Sequence, residues 1–279
     1  MSGIDWTREE VEVVVTDYFE MLKLQLSGIP YNKSAHRRQI LPLLDNRTHG
    51  AIERKHGNIS AVLIQLGRTY ISGYKPYPSF QKLLKQVILE RIKELEALEP
   101  LMERYNQQVI KVDQKKVSYD NWVEDAPEAS NVLKEPVGFY KTSKPDYIQQ
   151  EQRNKSIGDS GEELVYNYEK WRLENIGKYS LVKKIEWVSR EQGDGAGFDI
   201  LSKEKDGSDR FIEVKSTTLG KETPIYFTKR ENDFSINNAD QFHLYRVYHL
   251  MKKPKMYQCQ GAFSSYGMDI EAMSFKGSF

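Results

Sequence analysis

The stretch that decides the fold is GFDILSKEKDGSDRFIEVKSTT, residues 197–218. Two apolar runs, FDIL and FIEV, flank the turn-forming KDGSD, a pattern that predicts a β-hairpin. Each run also carries charge where hydrophobic side chains would pack more readily: Asp199 in the first run, and Glu213 in the second, followed by Lys215. Because side chains alternate along a strand, Glu213 and Lys215 are expected on one face, with Val214 directed into the core.

These charged residues predict a site for a divalent cation. The hairpin returns the chain beside FDIL, which can bring Asp199 within reach of Glu213. Two carboxylates this close repel each other unless a cation lies between them. Their oxygens, the Val214 carbonyl and waters predict an octahedral Mg²⁺ site, with Mn²⁺ as a substitute. Lys215 beside the metal is expected to steer or deprotonate an attacking water and to stabilise charge that grows on a phosphate.

A plainer interpretation of the same residues stays open. On a solvated hairpin face, Glu213 and Lys215 form cross-strand ion pairs and Asp199 caps a turn, which is the usual case for an arbitrary hairpin. The helix before the hairpin and the segment after it favour the metal site instead.

From residue 149 onward the pattern is that of an α/β domain. SIGDSGEELVYNYEKWRLENIG predicts an amphipathic helix that ends at Gly177. Five strand-like runs follow, with a helix near Glu231: SLVKKIEWVS, GFDILSKE, RFIEVKST, PIYFT and FHLYRVYHL. A mixed central sheet flanked by helices is an α/β arrangement, and we assign 151–279 to it.

The first hundred residues carry helical patterns. In TREEVEVVVTDYFEMLKLQLSG, Thr7 and Glu10 have the spacing of a capping box, and Gly28 ends the apolar stripe. KSAHRRQILPLL, GAIERKHGNISAVLIQLG and FQKLLKQVILERIKELEALE predict further helices. We therefore expect an all-α domain at 1–96. An acidic, weakly patterned stretch interrupted by prolines predicts a partly helical connector at 97–150.

The hairpin motif resembles that of a nuclease family. Asp199, thirteen intervening residues and then Glu213-Val-Lys215 resemble the PD-(D/E)XK nuclease superfamily, whose fold is a mixed central sheet between helices. A closer resemblance is to the domain found at the C-terminus of the plant protein NO VEIN and in many bacterial restriction and defence proteins. It is carried by GEELVYNYE, GFDILS, FIEVKSTT and IYFTKRENDF...FHLYRVYHL, over roughly residues 155–252.

The resemblance implies a restriction-endonuclease-like domain and a role for several residues. Asp199 and Glu213 match the metal-binding acids, and Lys215 matches the motif lysine. Glu163, on the preceding helix, matches an accessory acid that many members place near the metal, which makes it the fourth catalytic candidate. Glu231 is a frequent family position of less defined role, and as the acid at a helix start it is also favoured by the helix dipole. The motif's usual proline before the first acid is replaced here by Phe198.

Positive charge is concentrated in the helical region. Residues 31–93 hold twelve Lys/Arg against three acids, and the balance reverses over 94–128, with nine acids against four basic residues. A dense positive surface predicts a nucleic-acid partner held through its phosphates. The candidate DNA contacts are Arg37, Arg38, Arg47, Arg54, Lys55 and Arg68, with Tyr31, Tyr70, Tyr74 and Tyr77 available for stacking. The alternative is that these basic residues are simply solvated, or that the acidic connector neutralises them.

Composition and cysteine usage exclude several classes of protein. With 39% hydrophobic and 29% charged residues, the chain has an ordinary globular composition, so disorder throughout is not expected. The acidic start MSGIDWTREEVE is unlike a secretory signal and no apolar run is long enough to span a bilayer, which predicts a cytoplasmic protein without a membrane partner. The single cysteine, Cys259, excludes an internal disulfide, and His49 and His56 without further ligands predict no zinc site.

These features together predict a Mg²⁺-dependent DNA endonuclease of restriction or phage-defence type. The N-terminal domain is expected to recognise double-stranded DNA, by sequence or base modification, and the C-terminal domain to hydrolyse phosphodiester bonds. Because one such site cuts one strand, duplex cleavage predicts a homodimer. The alternatives are a non-catalytic nucleic-acid-binding module on a nuclease-like scaffold and an RNA-directed nuclease.

Overall fold

The computed structural model of the protein describes residues 5–128, 146–193 and 195–273, and it divides into two compact units. We call them the helical unit and the sheet unit. The described part of the helical unit comprises 5–111, 146–157 and 217–224. That of the sheet unit comprises 112–128, 158–193, 195–216 and 225–273.

The helical unit is built from short and medium helices. Their bounds are α1 Arg8–Leu26, α2 Lys33–Ile40, α3 His49–Gln65, α4 Lys82–Glu90, α5 Ile92–Ala97, α6 Glu99–Asn106 and α7 Tyr147–Gln152, with a 3₁₀ turn at Leu41–Leu43. The predicted run FQKLLKQVILERIKELEALE is therefore two helices, because the chain departs from helical geometry at Arg91, where φ is −97° and ψ is 19°.

Helix α1 forms for local reasons that are visible in the sequence. Thr7 Oγ1 accepts the Glu10 N–H at 3.3 Å, and Glu10 Oε2 accepts the Thr7 N–H at 2.9 Å, which confirms the predicted capping box. Its apolar stripe, which includes Tyr18 and Leu22, is fully buried. Gly28 then turns the chain out of the helix with a φ of 70°, a value that costs glycine little.

Part of the predicted connector, 97–150, belongs to the helical unit. Helices α6 and α7 lie within it, and the Asn106 side-chain amide donates to the Tyr147 carbonyl at 2.7 Å. Residues 129–145 of the connector lie outside the described residues.

A segment that follows the central strand of the sheet also belongs to the helical unit. Within residues 217–224, the Gly220 N–H donates to Tyr70 Oη at 3.0 Å. The buried Glu151 carboxylate accepts the Thr218 N–H at 2.6 Å and the Thr218 hydroxyl at 2.8 Å. The chain therefore leaves the sheet unit at the end of that strand and re-enters it at residue 225.

The sheet unit combines one mixed sheet with helices. Its elements are α8 Lys155–Asn175, α9 Tyr179–Val182, β1 Glu186–Trp187, α10 Val188–Gln192, β2 Ile200–Lys203, β3 Asp209–Ser216, α11 Lys229–Asn237, β4 Phe242–Tyr248 and β5 Lys255–Gln260, with 3₁₀ turns at Gln114–Lys116 and Phe263–Tyr266. The strand order is β1-β2-β3-β4-β5, and all neighbours are antiparallel except β3 and β4, which are parallel. This confirms the predicted α/β fold class with a mixed sheet, preceded by an all-helical region.

The strand predictions were correct at the centre of the sheet and wrong at its edges. The β2–β3 hairpin forms over KDGSD as expected, with the Glu204 N–H donating to the Ser208 carbonyl at 2.9 Å. SLVKKIEWVS forms only the two-residue β1 and parts of α9 and α10, and PIYFT has no strand among its residues. The fifth strand is β5 instead, because an edge strand needs only one partner and a weak apolar pattern suffices for it.

No helix in the described ranges combines the length and hydrophobicity needed to cross a bilayer.

Candidate active site

The two central acids of the hairpin converge in the sheet unit. Asp199 lies directly before β2, and because Ile200 pairs with Ile212, Asp199 stands beside Glu213 one position further along the ladder. The Asp199 N–H donates to the Ile212 carbonyl at 2.9 Å, and the Val214 N–H donates to Asp199 Oδ2 at 2.8 Å. Only 3% of Glu213 is exposed. Strand pairing thus places the half-buried Asp199 next to the buried Glu213.

The pKa values of both acids are raised, although Lys215 opposes the shift. Burial raises the pKa of Asp199 well above its ordinary value, and the charge of Glu213 raises it further. Burial likewise raises the pKa of Glu213, against the opposing effect of Lys215. A divalent cation between the two carboxylates would reverse both shifts, because it favours their charged forms.

Lys215 lies on the same face of β3 as Glu213. Its ammonium is 2.7 Å from Glu213 Oε1 and 3.0 Å from Glu231 Oε2. Burial alone would lower the pKa of Lys215, but the charges of Glu213, Glu231 and Asp199 raise it above its ordinary value. The cationic form favoured by these charges suits the steering of water and the stabilisation of phosphate charge, and the role of Lys215 as a base stays a prediction.

Glu231 belongs to the first turn of α11. The Thr228 N–H donates to Glu231 Oε2 at 2.9 Å and the Glu231 N–H donates to Thr228 Oγ1 at 3.2 Å, which together form a capping box. The same carboxylate oxygen also accepts Lys215. Glu231 is therefore the acid of a helix start that also contacts Lys215, and a role in catalysis stays a prediction.

The structure brings Glu162, rather than Glu163, to the acids. The charge of Glu162 contributes to the raised pKa of both Asp199 and Glu213. Its Oε2 accepts the Trp187 indole N–H at 2.7 Å and also the Ser189 hydroxyl.

Glu163 is exposed, and its carboxylate accepts the Gln114 side-chain amide at 3.3 Å. Glu162, rather than Glu163, is therefore the acid of α8 whose charge acts on Asp199 and Glu213, and the accessory catalytic role stays a prediction. Helical periodicity could have identified Glu162 from the sequence. Leu164, Val165 and Tyr168 point into the core. This places Glu163 on the opposite side of the helix and Glu162 at the edge of the core-facing side.

Gly161 lets α8 approach the end of β3 closely. A Cβ added at this glycine would lie 1.7 Å from Ser216 Oγ and 2.8 Å from Ser216 Cβ. Real Cβ atoms do not come this close to other heavy atoms, so a larger residue would push the helix away from the strand. Glycine at this position therefore sets how closely the neighbouring Glu162 approaches the site.

The residues present fit a Mg²⁺ ion better than a transition metal. No group of three or more His, Cys, Asp or Glu with metal-binding geometry occurs among the residues described. Two carboxylates, here Asp199 and Glu213, are the usual number for Mg²⁺, which keeps several waters. Coordination by the Val214 carbonyl stays a prediction.

Three of the six candidate DNA contacts bind other side chains within the helical unit. The half-buried Arg47 donates to both carboxylate oxygens of Glu10 at 2.7 Å, and the buried Lys55 donates to Gln81 Oε1 at 3.0 Å. Arg68 is 2% exposed and pairs with Glu99 at 2.7 Å. We assign these residues to the fold rather than to DNA, since their charged groups already have partners within the unit.

The remaining candidates face the outside to different degrees. Arg38 and Arg54 are exposed, and the Arg54 guanidinium lies 5.6 Å from the Tyr77 ring. Arg37 is half-buried and forms an ion pair with Glu53. DNA contact stays a prediction for these three arginines.

Two of the four tyrosines considered for base stacking are core residues. Tyr70 and Tyr74 are 1% and 3% exposed, which leaves no ring face for a base. Tyr31 is half-buried, and Tyr77, with 37% exposed, presents a ring to solvent.

The histidines have unrelated surroundings. His49 is exposed at the start of α3, whereas His56 is buried in the same helix, 3.2 Å from the Asp17 carboxylate. His36 Nδ1 lies 2.7 Å from the other oxygen of Asp17. Asp17 therefore joins two helices to α1, a role within the fold.

The thiol of Cys259 is half-buried, and burial raises its pKa, which is unfavourable for a nucleophile.

Comparison with known proteins gives one match. Residues 161–259, about a third of the chain, match a family model described as Protein NO VEIN, C-terminal. The match confirms the closer of the two resemblances for this segment, which contains Glu162, the β2–β3 hairpin and Glu231. No curated protein and no solved structure matches the chain. Membership of the wider PD-(D/E)XK superfamily remains a prediction.

Proposed function

We propose that the protein is a Mg²⁺-dependent endonuclease that hydrolyses phosphodiester bonds in double-stranded DNA. The observation that carries the proposal is the cluster in the sheet unit. The Lys215 ammonium contacts Glu213 and Glu231 there, and the charges of Asp199 and Glu162 act on the same cluster. Four acids against one lysine are costly away from full solvent unless a further cation compensates them, and a divalent ion is the simplest compensation.

Each residue of the cluster has a role in the proposed chemistry. Asp199 and Glu213 would hold the ion, which when bound supplies charge stabilisation for the phosphate. The Lys215 ammonium would orient the attacking water and stabilise charge on the phosphate oxygens. Glu162, fixed by Trp187 and Ser189, would add an acceptor that orients water near the two acids.

The partner we propose is double-stranded DNA, contacted in the helical unit by Arg38 and Arg54 with Tyr77 beside them. Exposed guanidinium groups bind phosphate through charge-assisted hydrogen bonds, and an exposed aromatic ring can stack on a base. Because one site cuts one strand, we propose that a homodimer cuts both. A restriction or phage-defence role is proposed from the resemblance to bacterial defence proteins.

The decisive test is plasmid cleavage by purified protein with and without Mg²⁺. Lys215→Ala is expected to reduce cleavage at least ~10³-fold while leaving DNA affinity within about threefold, since the ammonium acts mainly on the transition state. Lys229→Ala is the matched control, because that lysine is 88% exposed and forms a surface pair with Asp233.

Other outcomes would redirect the proposal. Cleavage by the Lys215→Ala protein at the wild-type rate would rule out the assigned role. DNA binding without any Mg²⁺-dependent cutting would favour a binding module on a nuclease-like scaffold, and cutting of RNA alone would identify an RNA-directed nuclease.

A further inference from the structure

Glu231 makes two sets of contacts through one carboxylate oxygen. Its Oε2 accepts the Thr228 backbone N–H at 2.9 Å and the Lys215 ammonium at 3.0 Å. Of the Glu231 side chain, 19% is exposed, and of the Lys215 side chain, 17%. The Thr228 backbone N–H thus fixes the carboxylate of Glu231 at the helix start, and this carboxylate contacts the lysine.

Helix α11 is itself anchored to the two strands that carry the acids. The Phe234 ring packs 5.0 Å from Phe198, the residue before Asp199, and 5.2 Å from Phe211. A Cβ added at Gly197, where φ is +89°, would lie 2.9 Å from Phe234 Cβ. Aromatic packing and this close approach fix the position of the helix against the hairpin. The position of Glu231 relative to the site is therefore fixed.

The ammonium of Lys215 needs such a second partner if Glu213 binds a cation. In the structure, Glu213 Oε1 accepts Lys215 at 2.7 Å. An oxygen that coordinates a divalent ion has less charge available for the lysine, and the ion repels the ammonium. Glu231 also contacts that ammonium, at 3.0 Å, and can hold it in place.

We propose that Glu231 is a positioning residue that holds the Lys215 ammonium in its working place beside the two acids. The expected effect of Glu231 on catalysis rests on the proposed nuclease function. It extends that function, because it gives the Glu231 carboxylate, which the Thr228 backbone N–H holds at the start of α11, a part in placing the lysine. Glu231 acts through Lys215 and is not assigned a contact with substrate.

The competing explanation is that Glu231 only caps the helix. The two explanations separate because glutamine also serves at this position of a capping box but carries no charge. Glu231→Gln keeps an acceptor for the Thr228 N–H and removes the ion pair with Lys215. Thr228→Ala does the reverse, since it removes the N-cap hydroxyl and leaves the ion pair.

Steady-state cleavage of a DNA duplex is the first measurement. Glu231→Gln is expected to lower kcat about 10- to 100-fold, with KM within about threefold, because small misplacement of a catalytic group has effects of that size. Thr228→Ala is expected to retain the wild-type kcat, because its backbone N–H remains, while the urea concentration at the unfolding midpoint falls through loss of the N-cap hydroxyl. A wild-type kcat in Glu231→Gln, or an equal loss in Thr228→Ala, would overturn the proposal.

The second measurement does not depend on cleavage. The ammonium resonance of Lys215, identified by its absence from Lys215→Arg, is observed by ¹⁵N NMR at low temperature without divalent metal. In wild-type protein and in Thr228→Ala, slow hydrogen exchange is expected; in Glu231→Gln, exchange should be at least ~10-fold faster because one acceptor loses its charge. If the wild type cuts no nucleic acid yet shows this pattern, the nuclease function fails and the placement of Lys215 by Glu231 stands. Equal exchange in all three proteins would refute the placement itself.

Discussion

Charged side chains are used in opposite ways by the two units. In the sheet unit, the half-buried Asp199 stands beside the buried Glu213, and burial together with the charge of Glu213 raises the pKa of Asp199. In the helical unit, Arg47 and Arg68 are each matched by a carboxylate, Glu10 and Glu99. One-to-one pairs contribute to a fold, whereas an excess of like charge at one place costs stability and is therefore a sign of function.

The comparison also shows which sequence patterns are informative. Alternation along a strand fixes the face of a residue, so Glu213 and Lys215 could be assigned to one surface. A count of basic residues does not show which of them are exposed. Arg68 and Arg38 look alike in the sequence, yet one is 2% exposed and the other lies open to solvent.

The largest expected effect is at Asp199. Asp199→Asn should reduce Mg²⁺-dependent cleavage at least ~10³-fold, because a neutral amide is a poor ligand for a hard cation. It should also raise the melting temperature in EDTA, since it removes one of two buried like charges. Cleavage assays and thermal melts in EDTA check both effects, with the exposed Asp240→Asn as control. A lower melting temperature with retained cleavage would show that the carboxylate is structural.

At Arg68, substitution is expected to lower the stability of the protein. Arg68→Ala leaves Glu99 without its partner, and breaking a buried pair costs about 3–5 kcal/mol. Because the Glu99 side chain is 24% exposed, we expect a smaller loss, about 2–3 kcal/mol, in urea unfolding. Arg54→Ala, on the exposed surface, should stay within about 0.5 kcal/mol of the wild type. Equal stability of the two variants would mean that the sheltered pair contributes nothing to the fold.

The exposed arginines should matter for DNA instead of stability. The double variant Arg38→Ala/Arg54→Ala is expected to bind duplex DNA about 10-fold more weakly, with the slope of log affinity against log salt reduced by about 2. Fluorescence anisotropy over a salt series measures both quantities, and a thermal melt confirms the fold. An unchanged slope would exclude phosphate contacts at these positions.

The smallest expected effect concerns Lys55, which the sequence placed among the DNA contacts. Burial lowers the pKa of Lys55 to about 8, and the nearby Arg47 lowers it further. The folded protein therefore binds the proton less tightly than the unfolded chain, so wild-type stability should rise as pH increases from about 8 towards 10.5.

Lys55→Met removes this dependence. At pH 7 the variant should be about 1 kcal/mol more stable than the wild type, and the difference should shrink above pH 8. Urea unfolding at pH 7 and pH 10 is the measurement, with DNA affinity at pH 7 expected to be unchanged. A loss of stability at pH 7, or weaker DNA binding, in this variant would instead support the predicted role of Lys55 as a DNA contact.

Much of the fold followed from local rules. The Thr7 capping box, the stop at Gly28 and the hairpin turn need only neighbouring residues, so they could be predicted. The strand β5 and the irregular PIYFT segment could not, because a strand's existence at a sheet edge depends on the partner it finds.

The sequence by itself determined the hairpin and the convergence of Asp199, Glu213 and Lys215, since strand period and turn chemistry act over a few residues. Only the tertiary structure decided which glutamate of α8 reaches these acids, Glu162 through Trp187 and Ser189, and that Glu231 holds the lysine. It also decided which arginines form ion pairs within the fold and which stay exposed. The physical reason is distance along the chain: contacts between separate elements depend on packing angles and partners, which no short stretch of sequence specifies.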